Sequence, residues 1–148
     1  MATYNKFNSW VEYMCGAEVD VFGTAGAGAD TLKAYLSNAA PSASADLVKT
    51  DLAEITNQNG YTAPVSLANA GTRSTGTVTV TATSFTVTAT GAVGPFQYVA
   101  VYDDTAASDP LVCWFDYASP VTLANGETFA VLFNGAASGN PGTLFTLA

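Results

Sequence analysis

The chain contains 148 residues, carries a formal net charge of −8 and has no histidine. A chain of this length is typical of a single domain with a sizeable core. The absence of histidine excludes a Ser-His-Asp triad, a Cys-His nucleophile pair and a histidine-bearing metal site. Only 4 lysine and arginine residues stand against 12 acidic residues, so no nucleic-acid-binding surface is expected.

The beginning of the chain and its cysteines bear on the compartment. The first residues lack the apolar run of a secretory signal, and no apolar stretch is long enough to predict a transmembrane helix. Cys15 and Cys113 lie far apart and form no CxxC motif. Because no export signal is expected, we interpret both cysteines as buried free thiols.

Residues 4–15 carry the strongest helical pattern of the chain. Large apolar side chains recur there at the spacing of one helix face: they are Tyr4, Phe7, Trp10, Val11 and Met14. Thr3 is the predicted N-cap residue, and Gly16 is the predicted end of the helix. Such an aromatic helix either packs on its own domain or docks as an arm on a neighbouring subunit.

The next segments give weaker patterns. Residues 23–29 are small, and their glycine spacing is the reverse of a dinucleotide-binding fingerprint, so we interpret them as a surface loop. Residues 30–36 alternate apolar and polar side chains, which predicts a strand with one face in water. Residues 46–55 predict either a short helix capped by Ser44 or an irregular segment. Residues 57–64 are rich in turn-forming residues and predict a connection.

The rest of the chain predicts short antiparallel strands. Residues 77–90 carry the clearest β pattern, and their apolar positions change phase, so a tight hairpin or a bulge is expected at Thr83 and Ser84. Residues 96–103 and 111–117 are apolar on both faces, which predicts two central strands joined by a hairpin loop.

Turn signals separate the remaining strands. Asn125 and Gly126 predict a hairpin turn because both residues tolerate a positive φ angle. Residues 71–76 predict a loop. The other predicted strands are short and comprise residues 65–68, 121–123, 128–133 and 143–147.

Together these patterns predict a mainly β fold, an antiparallel β-sandwich or barrel of jelly-roll or immunoglobulin-like type with a short N-terminal α-helix. We expect one domain over residues 1–148. Residues 1–22 would form the N-terminal helix or arm, and residues 30–148 the sandwich.

Two groups of carboxylates are candidates for chemistry. Asp103, Asp104 and Asp109 crowd one predicted loop and could hold Ca²⁺, although their spacing is not that of an EF-hand and such residues are common in hairpin loops. Asp116 lies in a predicted buried strand, where a carboxylate needs a partner. With Glu127 it is a candidate glycosidase pair, but a structural role is the commoner one.

Aromatic side chains at strand spacing allow two interpretations. They are either core residues or a platform on which a sugar ring stacks; the set comprises Trp10, Trp114, Tyr98, Tyr102 and Tyr117. Among the few cations, Lys6 and Arg73 are candidates to anchor an acidic partner, or are ordinary solvated charges. The sequence offers no catalytic motif, so we expect neither an enzyme nor a cofactor nor a bound metal.

Six stretches, taken in chain order, resemble small structural proteins in the particles of tailed bacteriophages. The stretches are residues 1–7, which read Met-Ala-Thr-Tyr-Asn-Lys-Phe, and residues 30–43, 59–63, 94–105, 109–117 and 121–129. The resemblance implies a capsid decoration (cement) protein, made in the host bacterial cytoplasm and bound on the virion outside the shell of major capsid protein. It carries over no catalytic residue.

The expected partners follow from the same resemblance. They are the major capsid protein and further copies of this chain in a homo-oligomer, for example a trimer, without direct contact to nucleic acid or membrane. Because aromatic residues are enriched at interface cores, the candidate interface residues are Tyr4, Lys6, Phe7 and Trp10. The alternatives are a phage tail or head-fibre component and a carbohydrate-binding host-recognition module.

Overall fold

The computed structural model describes residues 2–22, 28–134 and 136–148. The described chain is mainly β and contains one short α-helix and one 3₁₀ turn at Lys49–Asp51. In chain order the elements are β1 Thr3–Lys6, α1 Ser9–Cys15, β2 Leu32–Ser37, β3 Val65–Leu67, β4 Asn69–Ser74, β5 Thr77–Thr83, β6 Phe85–Thr88, β7 Val93–Asp103, β8 Leu111–Leu123, β9 Thr128–Val131 and β10 Pro141–Leu147. The predicted fold class is therefore confirmed. No helix of the described chain has the length and apolar character needed to span a membrane.

All strand pairs are antiparallel and fall into three sheets. A five-stranded sheet has the order β1-β8-β7-β2-β3, a three-stranded sheet the order β10-β5-β4, and β6 pairs with β9. The two predicted central strands, β7 and β8, lie inside the five-stranded sheet, as expected from their apolar faces. The five-stranded and three-stranded sheets pack like a sandwich around a shared core, which includes Leu36, Val80 and Val101.

Ser84 marks the change of phase that the sequence pattern predicted. The break is neither a hairpin nor a simple bulge, because β5 and β6 do not pair with each other and belong to different sheets. The Ser84 hydroxyl accepts a hydrogen bond from the Phe133 N–H at 3.0 Å, and its N–H donates to the Asn140 carbonyl at 2.9 Å. Ser84 is buried, and these bonds replace the strand pairing lost at that position.

A second core covers the opposite face of the five-stranded sheet. Tyr35, Tyr102 and Trp114 pack there against Leu52, which belongs to the irregular segment between β2 and β3. The Tyr35 hydroxyl donates to the Leu52 carbonyl at 3.3 Å. The prediction that one face of β2 lies in water is therefore wrong, because this segment shields that face from solvent.

The N-terminal prediction also needs correction. Residues 3–6 form the strand β1 instead of the first turn of a helix, and β8 supplies its backbone hydrogen-bond partners. The helix is restricted to Ser9–Cys15, with Asn8 and not Thr3 at the N-cap position, and it ends at Gly16 as predicted. A short isolated helix is marginal in water, whereas pairing with an existing strand satisfies the backbone of residues 3–6.

Two other local predictions differ from the structure. Residues 71–76 are predicted to form a loop, but most of them belong to β4, and Thr75 and Gly76 form the turn into β5 with φ angles of 46° and 86°. Two positive φ angles in a two-residue turn are typical of hairpins. The turn at Asn125 and Gly126 exists, but it does not form a hairpin, since β9 pairs with β6.

Residues 46–55 contain only the 3₁₀ turn, so the irregular alternative is the correct one. The predicted small-residue loop at 23–29 lies outside the described residues except for its last two positions.

Two glycines with similar backbone geometry allow a direct test of the fold. Gly60 and Gly126 have φ angles of 92° and 86°, but an added Cβ would overlap the Thr88 carbonyl oxygen only at Gly60. We expect Gly126→Ala to lower the free energy of unfolding by about 1 kcal/mol, the cost of the positive φ. Gly60→Ala should lower it by about 2–3 kcal/mol because the backbone must also move. Urea denaturation of both variants measures the difference, and equal losses would contradict the close approach of residues 60 and 88.

Candidate functional site at the open side of the sandwich

The two large sheets are joined on one side and open on the other. On the joined side the chain passes from β3 directly into β4 through Ala68. On the open side the sheets end in β1 and β10. Three adjoining clefts of about 220, 420 and 500 Å³ follow this side, with β1 and β8 on one wall and β9 and β10 on the other. We call this surface the seam; residues shared between its clefts are Ala2, Tyr4, Phe115, Leu132, Phe133 and Leu144.

Two of the predicted interface residues lie together at the seam. Tyr4 and Lys6 are two positions apart on β1 and both line the 420 Å³ cleft. The Tyr4 ring meets Phe115 edge-on, with ring centroids 5.6 Å apart, and 39% of the residue remains exposed. Partial burial, with a smaller contribution from Cys113, raises the pKa of the Tyr4 phenol, so this side chain stays neutral and presents a mostly apolar surface.

The other two predicted interface residues are core residues. Phe7 and Trp10 are both 0% exposed. Phe7 packs against Trp114 with ring centroids 4.5 Å apart, and Trp10 packs edge-on against Phe145 at 5.5 Å. Neither side chain is accessible to a partner in this fold, although Trp10 borders the 420 Å³ cleft from within the core. An interface role therefore stays a prediction only for Tyr4 and Lys6.

Three of the six large apolar side chains that are exposed in the described chain line the seam. Tyr117 is 50% exposed and Leu132 is 54% exposed, and both line its clefts together with Tyr4. Sequence reasoning did not propose Leu132 for an interface. The signal was present, however, because residues 131–133 are three consecutive large apolar residues at the end of a strand, where successive side chains point to opposite faces.

The seam also differs from the rest of the chain in charge. None of the described residues that line its three clefts is acidic, and Lys6 is the one charged residue among them. This composition contrasts with the net charge of −8 of the whole chain. The seam is thus a nearly neutral apolar surface on an acidic protein.

The three aspartates proposed as calcium ligands have different surroundings. Asp103 is fully buried, and its Oδ1 accepts hydrogen bonds from the N–H groups of Thr105 at 2.8 Å and Ala106 at 3.2 Å. Asp104 is paired with the Lys33 ammonium at 2.6 Å, which lowers the pKa of the Asp104 carboxyl. Within the described residues, no three acidic or cysteine side chains are grouped so that they could hold a metal ion.

The Oδ2 atom of Asp103 needs either a bound proton or a hydrogen-bond donor. It is buried and accepts no hydrogen bond from any residue that the structure describes. Burial, and the neighbouring Asp30 carboxyl to a smaller extent, raise the pKa of Asp103 to about 6. Asp30 in turn accepts a hydrogen bond from the Asp20 N–H at 2.5 Å. The Asp103 carboxyl is therefore a titratable group at the end of β7, and it does not line the clefts of the seam.

Both carboxylates of the proposed glycosidase pair make local hydrogen bonds. Asp116 is half-buried, and its Oδ1 accepts hydrogen bonds from the Gln97 side chain at 2.9 Å and the Ala118 N–H at 2.7 Å. Glu127 accepts a hydrogen bond from the Ala124 N–H at 2.7 Å and closes its own turn. These bonds provide the partner that a carboxylate at each position requires.

Most of the proposed sugar platform lies in the interior. Trp10, Tyr102 and Trp114 are buried, whereas Tyr117 is exposed, with its ring edge-on to Phe129 at 5.5 Å. The cysteine prediction is correct in part: Cys15 and Cys113 are both free thiols, but only Cys113 is buried, whereas Cys15 is exposed.

The seam is therefore the candidate functional surface of the described chain. Of the predicted interface residues, Tyr4 and Lys6 are accessible there. Comparisons with protein-family models, with curated proteins and with solved structures give no match to this chain.

Proposed function

We propose that this protein is a structural component of a tailed-bacteriophage particle, a decoration protein that binds outside the shell of major capsid protein and stabilises it without catalysis. The sequence resemblance to small virion proteins motivates the proposal. A mainly β domain whose acidic residues have structural partners is compatible with it. Its location would be the virion surface.

The observation that carries the proposal is the apolar, acid-free seam. Monomeric proteins rarely expose contiguous apolar surface unless that surface meets a partner. A decoration protein needs such a surface, because it acts through many weak contacts that the symmetry of the shell repeats. Binding to the assembled shell but not to its dissociated subunits stabilises the shell by mass action. Self-association into a closed homo-oligomer would suit the symmetric positions of a capsid.

Sedimentation tests the proposal. The purified chain is mixed with bare heads and, separately, with isolated tails of the phage whose genome encodes it, and bound copies are counted after centrifugation. We expect saturable binding to heads at hundreds of copies per particle and greater resistance of the decorated heads to heat. The variant Leu132→Asp places a charge on the seam and should weaken head binding at least tenfold. Leu47→Asp, at a leucine that is 42% exposed and lies outside the seam, is the matched control and should bind like the parent chain.

Each other outcome points to a different function. Binding to tails alone, or a handful of copies at one vertex, would contradict decoration and favour a tail or head-fibre component. Binding to neither particle would contradict the resemblance itself.

A carbohydrate-binding module is the second candidate, and the exposed ring of Tyr117 beside the 220 Å³ cleft favours it. Exposed aromatic rings stack on the apolar faces of sugars. Titration with host surface glycans, followed by the chemical shifts of the Tyr117 ring, would detect this function. Unchanged shifts at saturating glycan would exclude it.

A further inference from the structure

The strand β1 has one paired edge and one open edge. It pairs with β8 along Thr3–Lys6, and no second strand of the described chain pairs with it. An edge strand of this kind presents a row of N–H and C=O groups to any further strand. Its open edge lies at the seam, beside the exposed rings and the neutral cleft lining described above.

The other edges of the five-stranded and three-stranded sheets are less suited to pairing. On β4, Arg73 is exposed, and Phe22 packs against Gly71, so a charge and a bulky ring flank that edge. The strand β3 has only three residues. On β10, Thr143 already exchanges two backbone hydrogen bonds with Asn134. Charges and covering groups are the features by which proteins protect sheet edges.

We propose that β1 pairs antiparallel with β1 of a second copy of this chain, so that two five-stranded sheets join into one continuous sheet across a two-fold axis. This inference rests on the self-association included in the proposed function and names its surface. The contact is isologous, because the same residues serve on both copies.

The two-fold axis restricts the register. Residues that face each other across it must lie on the same face of the joined sheet, and Tyr4 and Lys6 share a face because they are two positions apart. With Asn5 opposite Asn5 of the second copy, each Tyr4 lies opposite Lys6 of the other copy. A lysine ammonium beside a tyrosine ring is an attractive pair, and symmetry forms it twice.

Charge also favours a second copy at this surface. Two chains of net charge −8 repel each other, so a contact meets the least electrostatic repulsion where acidic residues are absent. The cleft lining of the seam meets that condition. The contact would also shield part of the exposed surface of Tyr4, which a monomer leaves in water.

Disulfide trapping tests the register. The variant Asn5→Cys is made in a Cys15→Ser background, because Cys15 is exposed, whereas Cys113 is buried. Directly opposed residues of an antiparallel pair have Cα atoms about 4.5–5.5 Å apart, within the range that a disulfide spans. Under mild oxidation we expect most of the protein to become a covalent dimer. Thr72→Cys in the same background, on the exposed edge of β4, is the matched control and should stay monomeric.

Sedimentation equilibrium of the unmodified chain provides the second measurement. We expect a dimer. The variant Lys6→Glu should raise the dissociation constant of this dimer at least tenfold, because it removes the cation from both pairs with Tyr4. A monomer at all concentrations, or equal cross-linking of the Asn5→Cys and Thr72→Cys variants, would overturn the inference. Head binding by a chain that stays monomeric would leave the proposed function standing and refute only the dimer. A cross-linked dimer that binds no heads would support the dimer and contradict the proposed function.

Discussion

Replacing Trp10 with alanine is expected to lower the free energy of unfolding by about 3–5 kcal/mol, the usual cost of truncating a buried aromatic residue. The indole is fully buried and packs edge-on against Phe145, so its removal leaves a cavity between α1 and β10. Urea denaturation followed by far-ultraviolet circular dichroism measures the change.

The neighbouring residue provides the control for this prediction. Val11 lies on the same helix and is 40% exposed, so Val11→Ala should change the free energy of unfolding by less than about 1 kcal/mol. If Trp10→Ala kept its stability but lost binding to phage heads, the indole would be a docking residue and its burial in the core would be contradicted.

Asp103→Asn is expected to stabilise the protein at neutral pH and to remove part of its pH dependence. The carboxyl has a pKa of about 6 in the folded chain against an ordinary value of 3.8, because burial disfavours its charged form. Its protonated form therefore contributes stability that is complete below pH 3.8 and is lost as the pH rises through 6. The difference corresponds to about 3 kcal/mol.

Asparagine reproduces the protonated state at every pH. Its amide oxygen can accept the hydrogen bonds from Thr105 and Ala106, and its NH₂ group can donate towards the Asp30 carboxylate. We expect Asp103→Asn to gain most of those 3 kcal/mol at about pH 8 and almost none at about pH 4. Chemical denaturation at pH values between about 4 and 8 measures the profile.

The adjacent aspartate should behave in the opposite way. Lys33 lowers the pKa of Asp104, so that carboxylate contributes stability above pH 3.8 that is lost as the pH falls through its lower folded-state value. Asp104→Asn should therefore slightly destabilise the protein at about pH 8, since the pair is partly exposed. A stabilising effect of equal size from both variants would show that total negative charge, and not the burial of Asp103, sets the profile.

The strands with strong patterns were predictable because each pattern has one physical solution. Two apolar faces place β7 and β8 inside a sheet, and the phase change at Ser84 requires an interruption. The pairing of β9 with β6 was not predictable, because the local preference of Asn125 and Gly126 for a turn does not determine whether the flanking strands pair with each other. Partner choice depends on contacts that are remote in sequence.

The conformation of the N-terminal residues also depends on contacts that are remote in sequence. The recurrence of Tyr4, Phe7 and Trp10 at helical spacing correctly marked Phe7 and Trp10 for burial, although Tyr4 is 39% exposed. The same spacing also accommodates a strand followed by a helix. Pairing with β8 decides between them, and β8 lies far from these residues in the sequence. The seam could not be predicted either, because a cleft between two sheets exists only once both are assembled.

The two cores can be followed separately by intrinsic tryptophan fluorescence. It has two tryptophans, and each belongs to a different core: Trp10 lies between the sheets, and Trp114 lies beneath the segment that covers the other face of the five-stranded sheet. Fluorescence of a chain that keeps only one indole therefore reports on one core at a time. Comparing the two unfolding transitions reveals whether the irregular segment and the sandwich unfold as one cooperative unit.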